Sequence, residues 1–336
     1  MDKYNEANSI DLLLEPKIVV IGGGTGLSIL LRGLKKFTHN ITAIVTVSDD
    51  GGGSGILRED LGMLPPGDIR ACLLALANTE PAMEKLLRYR FENGILKGQN
   101  FGNLLLAAMN EIHGSFEMAV KETSNVLAVT GEVFPMTLEN AILFAELEDG
   151  MIVEGESKIP DVVNETGIKI KRMFIEPKLS NPLSEAVDAI RDADLIVLGP
   201  GSLFTSIIPN LLINNIVEDI YNSAATKVYI CNVMTQPGET TNFTLSDHVK
   251  AILNHSREDF LDYVIGNIEE LPMETLNKYI SDGSSPILAS KEDQKFLLSK
   301  DIKLIAENLI DVRKTYIRHN NIELSRVLID IAKRKR

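Results

Sequence analysis

The chain has 336 residues, of which 44% are hydrophobic and 24% charged, a composition typical of a globular protein. Its formal net charge of −13 argues against nucleic acid or an anionic membrane surface as a partner, because both attract basic proteins. Cys72 and Cys231 lie in separate apolar stretches, the five histidines lack metal-ligand spacing, and no apolar run approaches about 20 residues. We therefore expect packed thiols, no zinc site, no membrane insertion and a cytoplasmic location.

Residues 1–15 are predicted to form an N-terminal extension, and residues 16–336 a single α/β nucleotide-binding domain. The domain opens with Lys17–Ile21, a continuous apolar run typical of a parallel strand that is buried on both faces. A loop of almost pure glycine, Gly22–Gly26, follows, and helically spaced leucines begin at Leu27. A strand, a glycine loop and a helix in this order present backbone N–H groups at a helix N-terminus, where phosphates bind.

The second strand, Ile41–Val47, ends in the same way, with Asp49, Asp50 and the glycine-rich stretch Gly51–Gly55. Ligands of open α/β sheets bind at the carboxyl ends of strands, so two such loops predict a site for a phosphorylated ligand. The first loop is not a dinucleotide fingerprint, because Leu27 replaces its third glycine, and it is not a Walker A loop. Asp49 nevertheless stands where a ribose-binding carboxylate would, so NAD stays open, as does a tight turn without a ligand.

Acidic and basic side chains near the second loop are candidates for chemistry. Asp49 and Asp50 could hold Mg²⁺ on ligand phosphates, or could cap a helix or form a turn. In the stretch PPGDIR, Asp68 is predicted to cap a helix, and Arg70 falls in the first turn of that helix. A cation there opposes the helix dipole unless it faces a bound anion. We therefore predict that Arg70 contacts a phosphate or a sugar, with a surface ion pair to a carboxylate such as Glu59 as the alternative.

The next elements are helical, and the pattern then changes. Helices are predicted at Pro81–Phe91 and Phe116–Val126, and Asn103 either caps the intervening helix, the favoured reading, or projects its amide into the site. Residues 125–178 form a strand-rich subregion, with a tight hairpin at Asp149-Gly150. We interpret this subregion as an antiparallel insertion with a solvated face and no part in the chemistry.

The α/β alternation returns after Pro182 and brings two further polar loops. Asp194–Leu198 is a buried-strand run that ends in a third glycine loop, Gly199–Ser206. The strand Lys227–Ile230 is followed by Asn232, Thr235 and Gln236, whose side chains can donate and accept hydrogen bonds to a base or a sugar. Four strands with such loops at the same end predict one composite cleft. No residues show the order or spacing of a Ser/His/Asp triad or a Cys nucleophile with its His.

Several long motifs resemble the gluconeogenesis-factor (YvcK-like) proteins, which belong to the same superfamily as 2-phospho-L-lactate transferase. They are GGGTGL, TVSDDGGGSG, PPGDIR, FGNLLLA, GPGSLFTSIIPNLL and YICNVMTQPGET, and the match runs from about Pro16 to about Arg318. The resemblance implies a Rossmann-like, doubly wound α/β fold, a cytoplasmic protein and binding of a UDP-sugar such as UDP-N-acetylglucosamine. It also implies a role in carbon metabolism, cell shape and envelope synthesis, with envelope-synthesis or kinase proteins as partners and an oligomer as an open option.

The resemblance also assigns site residues by motif. The residues expected at the nucleotide are Gly22, Gly23, Gly24, Thr25, Gly26, Leu27, Asp49, Asp50, Gly51, Ser54, Asp68, Arg70, Asn103, Gly201, Ser202, Phe204, Asn232, Thr235, Gln236, Tyr279 and Arg318. Among them, Tyr279 in NKYISDG and Arg318 in IRHN match positions linked to the UDP-sugar, where a tyrosine ring can stack on a base and an arginine can bind a diphosphate.

The sequence leaves three functions open. The first is a regulatory protein that senses a UDP-sugar without turnover. The alternative is a metal-dependent transferase of the 2-phospho-L-lactate transferase type, in which Asp49 and Asp50 would be the catalytic and Mg²⁺-binding residues. The strand-rich subregion departs from the transferases, which weakens the transferase interpretation. A nicotinamide-dependent oxidoreductase comes third, because no hydride partner is recognisable.

Overall fold

The computed structural model describes residues 15–313 and 316–334, so the predicted N-terminal extension lies outside the described residues except for Glu15. Its centre is a seven-stranded parallel sheet with the strand order β10-β9-β8-β7-β1-β2-β3. The strands of this sheet are β1 (Ile18–Gly22), β2 (Ile41–Val45), β3 (Glu132–Pro135), β7 (Leu195–Leu198), β8 (Thr226–Ile230), β9 (Tyr263–Asn267) and β10 (Lys303–Glu307). Every residue of β1 and β7 is buried, as the continuous apolar runs predict.

Helices cover both faces of the sheet, which confirms the predicted doubly wound α/β fold. They are α1 (Gly24–Leu34), α2 (Gly52–Leu61), α3 (Gly67–Leu76), α4 (Pro81–Arg88), α5 (Phe101–His113), α6 (Phe116–Val126), α7 (Lys158–Thr166), α8 (Ser184–Asp192), α9 (Ile208–Leu211), α10 (Ile216–Asn222), α11 (Leu245–Asn254), α12 (Met273–Ser281), α13 (Lys291–Ser299) and α14 (Asn321–Arg334), with a π-helix at Leu203–Ile207. Alternate residues of β1 point to opposite layers. Ile18 and Val20 pack with α1, α3 and α14, whereas Val19 and Ile21 pack with α8, α10 and α11.

The strand-rich subregion contributes to two different sheets. β4 (Ile142–Leu147), β5 (Ile152–Glu154) and β6 (Ile170–Glu176) form a separate antiparallel sheet in the order β5-β4-β6. The predicted turn at Asp149-Gly150 joins β4 and β5, with the Met151 N–H donating to Asp149 Oδ1 at 3.0 Å. β3, in contrast, pairs in parallel with β2, so this part of the subregion belongs to the main sheet.

A short antiparallel pair, β11 (Ile310–Arg313) and β12 (Tyr316–His319), stands above the carboxyl ends of the main strands. Ile310 and Ile317 of this pair pack with Val233, which follows β8, and with Leu276 of α12. Because this small apolar cluster joins three elements that are distant in sequence, it fixes β12 beside the loop that follows β8.

Candidate functional site

A cleft of about 420 Å³ opens at the carboxyl ends of β1, β7 and β8. The loops after these strands form one side of it, and α12 and β12 form the other. Its lining consists of Gly23, Gly24, Thr25, Gly26, Ile29, Pro200, Gly201, Ser202, Ser206, Asn232, Val233, Met234, Thr235, Gln236, Pro237, Tyr279, Ser284, Ile317, Arg318 and His319. The structure therefore brings together eleven of the residues predicted from the sequence.

The first glycine loop supplies the start of α1, as predicted, but one of its N–H groups already has an acceptor. α1 begins at Gly24, whose φ of +69° favours glycine, and no side chain of the N-cap residue Gly23 can cap it. The Gly24 N–H donates to Asp68 Oδ2 at 2.7 Å. The N–H groups of Thr25 and Gly26 in the same first turn have no intrahelical acceptor and line the cleft, so they are left for an anion.

Asp68 does not cap its own helix, and that prediction was wrong. α3 begins at Gly67 with Pro66 as its N-cap, and the Asp68 carboxylate instead reaches across to the first loop. Burial, followed by the nearby charge of Asp49, raises the pKa of Asp68 to about 6. Asp68 thus ties the start of α3 to the start of α1 beneath the cleft.

The loops after β7 and β8 are held to each other by side-chain amides. Asn232 Nδ2 donates to the Gly201 carbonyl at 2.8 Å, and the Gly201 N–H donates to Asn232 Oδ1 at 3.3 Å. Gln236 Nε2 donates to Ser202 Oγ at 2.6 Å, and the Ser285 N–H donates to Thr235 Oγ1 at 2.8 Å. These three predicted residues line the cleft, and their polar atoms also fix the shape of its wall.

Tyr279 and Arg318, which the resemblance assigned to the UDP-sugar, face the same cleft from separate elements. Tyr279 is partly buried on α12, and its hydroxyl accepts a hydrogen bond from the Ile317 N–H at 2.7 Å. Arg318 is exposed on β12, with its guanidinium carbon 5.6 Å from the ring centre of Tyr316. The hydrogen bond from Ile317 therefore places Tyr279 next to the strand that carries Arg318.

The remaining predicted residues do not line this cleft. Gly22 ends β1, Leu27 is fully buried in the core, and Phe204 packs edge-on against Phe243 and His255. Six further residues lie around the second glycine loop, which follows β2. They are Asp49, Asp50, Gly51, Ser54, Arg70 and Asn103. The expected single composite cleft is thus divided between two regions.

The second region contains a group of carboxylates that we call the acidic cluster: Asp49, Asp50, Glu156 and Glu239. Asp49 Oδ1 accepts from the Gly51 N–H at 2.9 Å, and Asp50 Oδ1 accepts from the Ser157 N–H at 2.9 Å. Burial and then the charges of Asp49 and Glu239 raise the pKa of Glu156 to about 8. Burial also raises the pKa of Glu239 to about 7, although its carboxylate accepts hydrogen bonds from the Phe204 N–H and Thr205 Oγ1.

No group of three or more His, Cys, Asp or Glu side chains within residues 15–313 and 316–334 has the arrangement of a metal site. Asp49 and Asp50 each use one carboxylate oxygen on a backbone N–H, and each keeps the other oxygen. The donor chemistry therefore fits Mg²⁺ only if ligand phosphates or water supply most of the coordination sphere.

Two predicted polar residues near the second loop, Asn103 and Arg70, lack the hydrogen-bond partners that the sequence suggested. Asn100, not Asn103, caps α5, because its side chain accepts from the Gly102 N–H at 2.9 Å and from the Asn103 N–H at 3.3 Å. Arg70 lies in the first turn of α3, as predicted. Asn103 Oδ1 and Arg70 Nε are buried without a hydrogen-bond partner among the described residues, and Arg70 forms no ion pair with Glu59 there.

The sequence analysis missed several residues that matter at these two regions. Ser206 and Pro200 belong to a loop that was recognised, so their position alone would have indicated them. Glu239 is the last residue but one of the recognised motif YICNVMTQPGET. Glu156 lies in the strand-rich subregion, which was expected to have no part in the chemistry, yet folding brings it near Asp49 and Glu239. His319 directly follows Arg318, and no sequence pattern indicated that it would line the cleft.

Comparisons with known proteins match this architecture over most of its length. The family model of 2-phospho-L-lactate transferase CofD matches residues 18–310. The gluconeogenesis factor of Bacillus subtilis (strain 168) is 48% identical over 320 residues, which cover 95% of this chain and 99% of that protein. The chain belongs to the CofD family and, within it, groups with the gluconeogenesis-factor proteins.

Other members of this family support the same assignment. A protein from Thermoanaerobacterium thermosulfurigenes is 57% identical over 316 residues, which cover 94% of this chain and 97% of that protein. The crystal structure of a UPF0052-family protein from Bacillus halodurans superposes with a TM-score of 0.89 at 46% identity, covering 94% of this chain and 99% of that one. Among the helices of the described residues, none combines the length and apolar character needed to cross a bilayer.

Proposed function

We propose that this protein is a cytoplasmic regulatory protein that binds a UDP-sugar, with UDP-N-acetylglucosamine as the first candidate. Through that ligand it would link carbon metabolism to cell shape and envelope synthesis. The observation that carries the proposal is the composition of the cleft. The free N–H groups of Thr25 and Gly26 lie in one lining with the Tyr279 ring and the exposed Arg318 guanidinium.

The cleft offers groups that suit the diphosphate and the base of a nucleotide-sugar. The N-terminus of α1 carries a partial positive charge and directed N–H groups, which suit a diphosphate. Arg318 adds a charged donor that can bind phosphate oxygens in a bidentate manner. The ring of Tyr279 offers a flat surface for the base. A volume of about 420 Å³ falls in the range of small-ligand sites, roughly 300–1,000 Å³.

The proposal is tested by titration calorimetry of the full chain with UDP-N-acetylglucosamine, GDP and NAD, each with and without Mg²⁺. We expect Arg318→Ala to weaken UDP-N-acetylglucosamine binding by about 10- to 100-fold, because a charge-assisted hydrogen bond contributes roughly 1.5–3 kcal/mol. Arg326→Ala is the matched control, since Arg326 is an exposed arginine that pairs with Glu323 on α14. Unchanged affinity in Arg318→Ala, or equal losses in both variants, would contradict the proposal.

A second function, phospho-group transfer from a nucleoside-diphosphate donor, is favoured by one observation. The acidic cluster places a protonatable Glu156 beside Asp49, an arrangement that suits acid–base chemistry better than ligand binding alone. Asp49 and Asp50 would hold Mg²⁺, which supplies charge neutralisation at the phosphates when bound.

Asp49→Asn and Asp50→Asn separate the two functions. Asn keeps an oxygen acceptor for the Gly51 or Ser157 N–H but loses the charge that a metal needs. For a sensor, we expect both variants to bind UDP-N-acetylglucosamine within about threefold of the wild type, less than a single net hydrogen bond. Mg²⁺-dependent product formation that disappears in either variant would instead establish the transferase.

A further inference from the structure

His319 is a buried polar side chain in the cleft that the proposed function does not use. It ends β12, follows Arg318 and lines the cleft, although only 9% of its surface is exposed. A buried imidazole has two nitrogens, and each of them needs a hydrogen-bond partner if it is not to cost free energy.

The structure identifies which nitrogen of His319 carries the proton. Nε2 lies 3.1 Å from the carbonyl oxygen of Cys231, at the end of β8. A carbonyl oxygen only accepts hydrogen bonds, so Nε2 must be the donor and Nδ1 must hold a lone pair. Burial lowers the pKa of His319 to about 4, opposed by the bond to Cys231, so the ring stays neutral near pH 7.

Nδ1 is the part of this ring that remains available to a ligand. It forms no hydrogen bond with residues 15–313 or 316–334. His319 lines the cleft, and its Nδ1 is not one of the fully buried, unpartnered polar side-chain atoms of these ranges. In the same lining, Asn232 Oδ1 already accepts one hydrogen bond from Gly201, and the Tyr279 hydroxyl accepts one from Ile317.

We propose that Nδ1 of His319 accepts a hydrogen bond from an N–H or O–H group of the bound nucleotide and so selects ligands that present a donor at this point. The inference rests on the proposed function, because it assigns a specificity-determining residue to the same cleft. Phosphate oxygens lack a donor at neutral pH, so the group beside His319 belongs to the nucleoside or to the N-acetylglucosamine. The uracil N3–H, the ribose 2′-hydroxyl and the amide N–H or hydroxyls of the N-acetylglucosamine are its sources.

The test uses two variants that each keep one half of the imidazole. His319→Gln places a carboxamide N–H near the position of Nε2, so the bond to Cys231 can persist, but it leaves no acceptor near Nδ1. His319→Asn places an oxygen near Nδ1 and loses the contact with Cys231. Calorimetry with UDP-N-acetylglucosamine should show an affinity loss of about tenfold in His319→Gln and of about threefold or less in His319→Asn, because an unpaired buried donor costs more than a hydrogen bond contributes.

Two UDP analogues identify the donor. If it is the uracil N3–H, N3-methyl-UDP should bind about tenfold more weakly than UDP to the wild type, and His319→Gln should bind the two about equally. If it is the ribose 2′-hydroxyl, 2′-deoxy-UDP should show that pattern instead. If it belongs to the N-acetylglucosamine, His319→Gln should bind UDP as tightly as the wild type does but UDP-N-acetylglucosamine about tenfold more weakly. A His319→Gln variant that matches the wild type in its affinity for UDP, UDP-N-acetylglucosamine and both analogues would overturn the inference.

A measurement on the unmodified protein covers the case in which the variants do not fold. With ¹⁵N-labelled histidine, the Nδ1 resonance of His319 should be that of an unprotonated nitrogen and should shift when UDP-N-acetylglucosamine is added. A resonance that does not move while the ligand binds would overturn the role of His319 and leave the proposed function intact. A wild-type protein that binds neither UDP-N-acetylglucosamine nor UDP would overturn both.

Discussion

The two glycine-rich loops in the amino-terminal part of the chain follow adjacent parallel strands, yet only the first contributes to the cleft. The reason lies in the strand order. After β1 the chain adds β2 and β3 on one side, and it later adds β7 to β10 on the other. The reversal lies between β1 and β7, and loops on either side of such a point separate and leave a crevice. The second loop follows β2, on the far side of β1 from this crevice.

The two regions also differ in how their polar groups are satisfied. In the first region, the N–H groups of Thr25 and Gly26, which line the cleft, donate to no other residue within 15–313 or 316–334. In the second, Asp49 and Asp50 accept hydrogen bonds from the Gly51 and Ser157 backbone N–H groups. A glycine loop at the end of a parallel strand does not by itself place its residues in the cleft. The comparison predicts that changes in the first region alter binding, whereas changes in the second alter stability and its pH dependence.

The largest effect is expected from adding a side-chain atom where the loops after β1 and β7 are in close contact. A Cβ atom on Gly26 would lie 2.7 Å from the Pro200 carbonyl oxygen, so Gly26→Ala must push the two loops apart. We expect a loss of stability of about 1–3 kcal/mol and a loss of UDP-N-acetylglucosamine affinity of about 100-fold. Urea unfolding and calorimetry measure these two quantities.

Gly51→Ala is the matched control from the second loop. Its φ of −88° suits alanine, and the nearest atom to an added Cβ is Asp49 Oδ1 at 3.4 Å. We expect it to change neither quantity by more than about 0.5 kcal/mol. Similar losses in both variants would show that the two loops are not functionally distinct.

A smaller effect is expected in the acidic cluster, as a dependence of stability on pH. The raised pKa of Glu239, about 7 against an ordinary value of 4.5, means that the folded protein holds a proton that the unfolded chain releases. Stability should therefore fall as the pH rises from about 4.5 to about 7, by about 3 kcal/mol at most from this group. Glu239→Gln keeps an oxygen acceptor for the Phe204 N–H but cannot ionise.

The measurement is the free energy of unfolding in urea at about pH 5.5 and about pH 8, for the wild type and Glu239→Gln. The variant should lose less stability between the two values than the wild type, with the raised pKa of Glu156 accounting for part of the remainder. Equal losses would mean that Glu239 is ionised throughout this range.

The smallest effect is expected from the hydroxyl of Tyr279. Tyr279→Phe keeps the ring in the cleft but removes the acceptor of the Ile317 N–H. Because this bond places Tyr279 next to β12, we expect UDP-N-acetylglucosamine affinity to fall by about three- to tenfold, the contribution of roughly one hydrogen bond. Tyr279→Ala should cost more, since it also removes the ring, and calorimetry on both variants checks the order. A Tyr279→Phe variant as weak as Tyr279→Ala would refute the division of roles between ring and hydroxyl.

The sequence by itself determined the elements and the fold class. Continuous apolar runs predict β1 and β7, and the first glycine loop predicts the start of α1. Burial on both faces requires apolar residues, and close backbone approach requires glycine, so both requirements are visible within one short segment. The motifs in chain order also identified the family, which the comparisons confirm. Cap positions were less predictable, since the carboxylate of Asp68 bonds to Gly24, a residue distant in sequence, instead of its own helix.

Only the tertiary structure decided which of these residues meet. The order of the strands in the sheet is not encoded in any single segment, so the sequence could not tell that the loops after β1 and β7 face the cleft while the loop after β2 does not. It could not show that Glu156 lies near Asp49, or that Nε2 of His319 is bonded to Cys231. Those contacts depend on chain segments that approach each other after folding, and they set the pKa of Glu156 and the tautomer of His319.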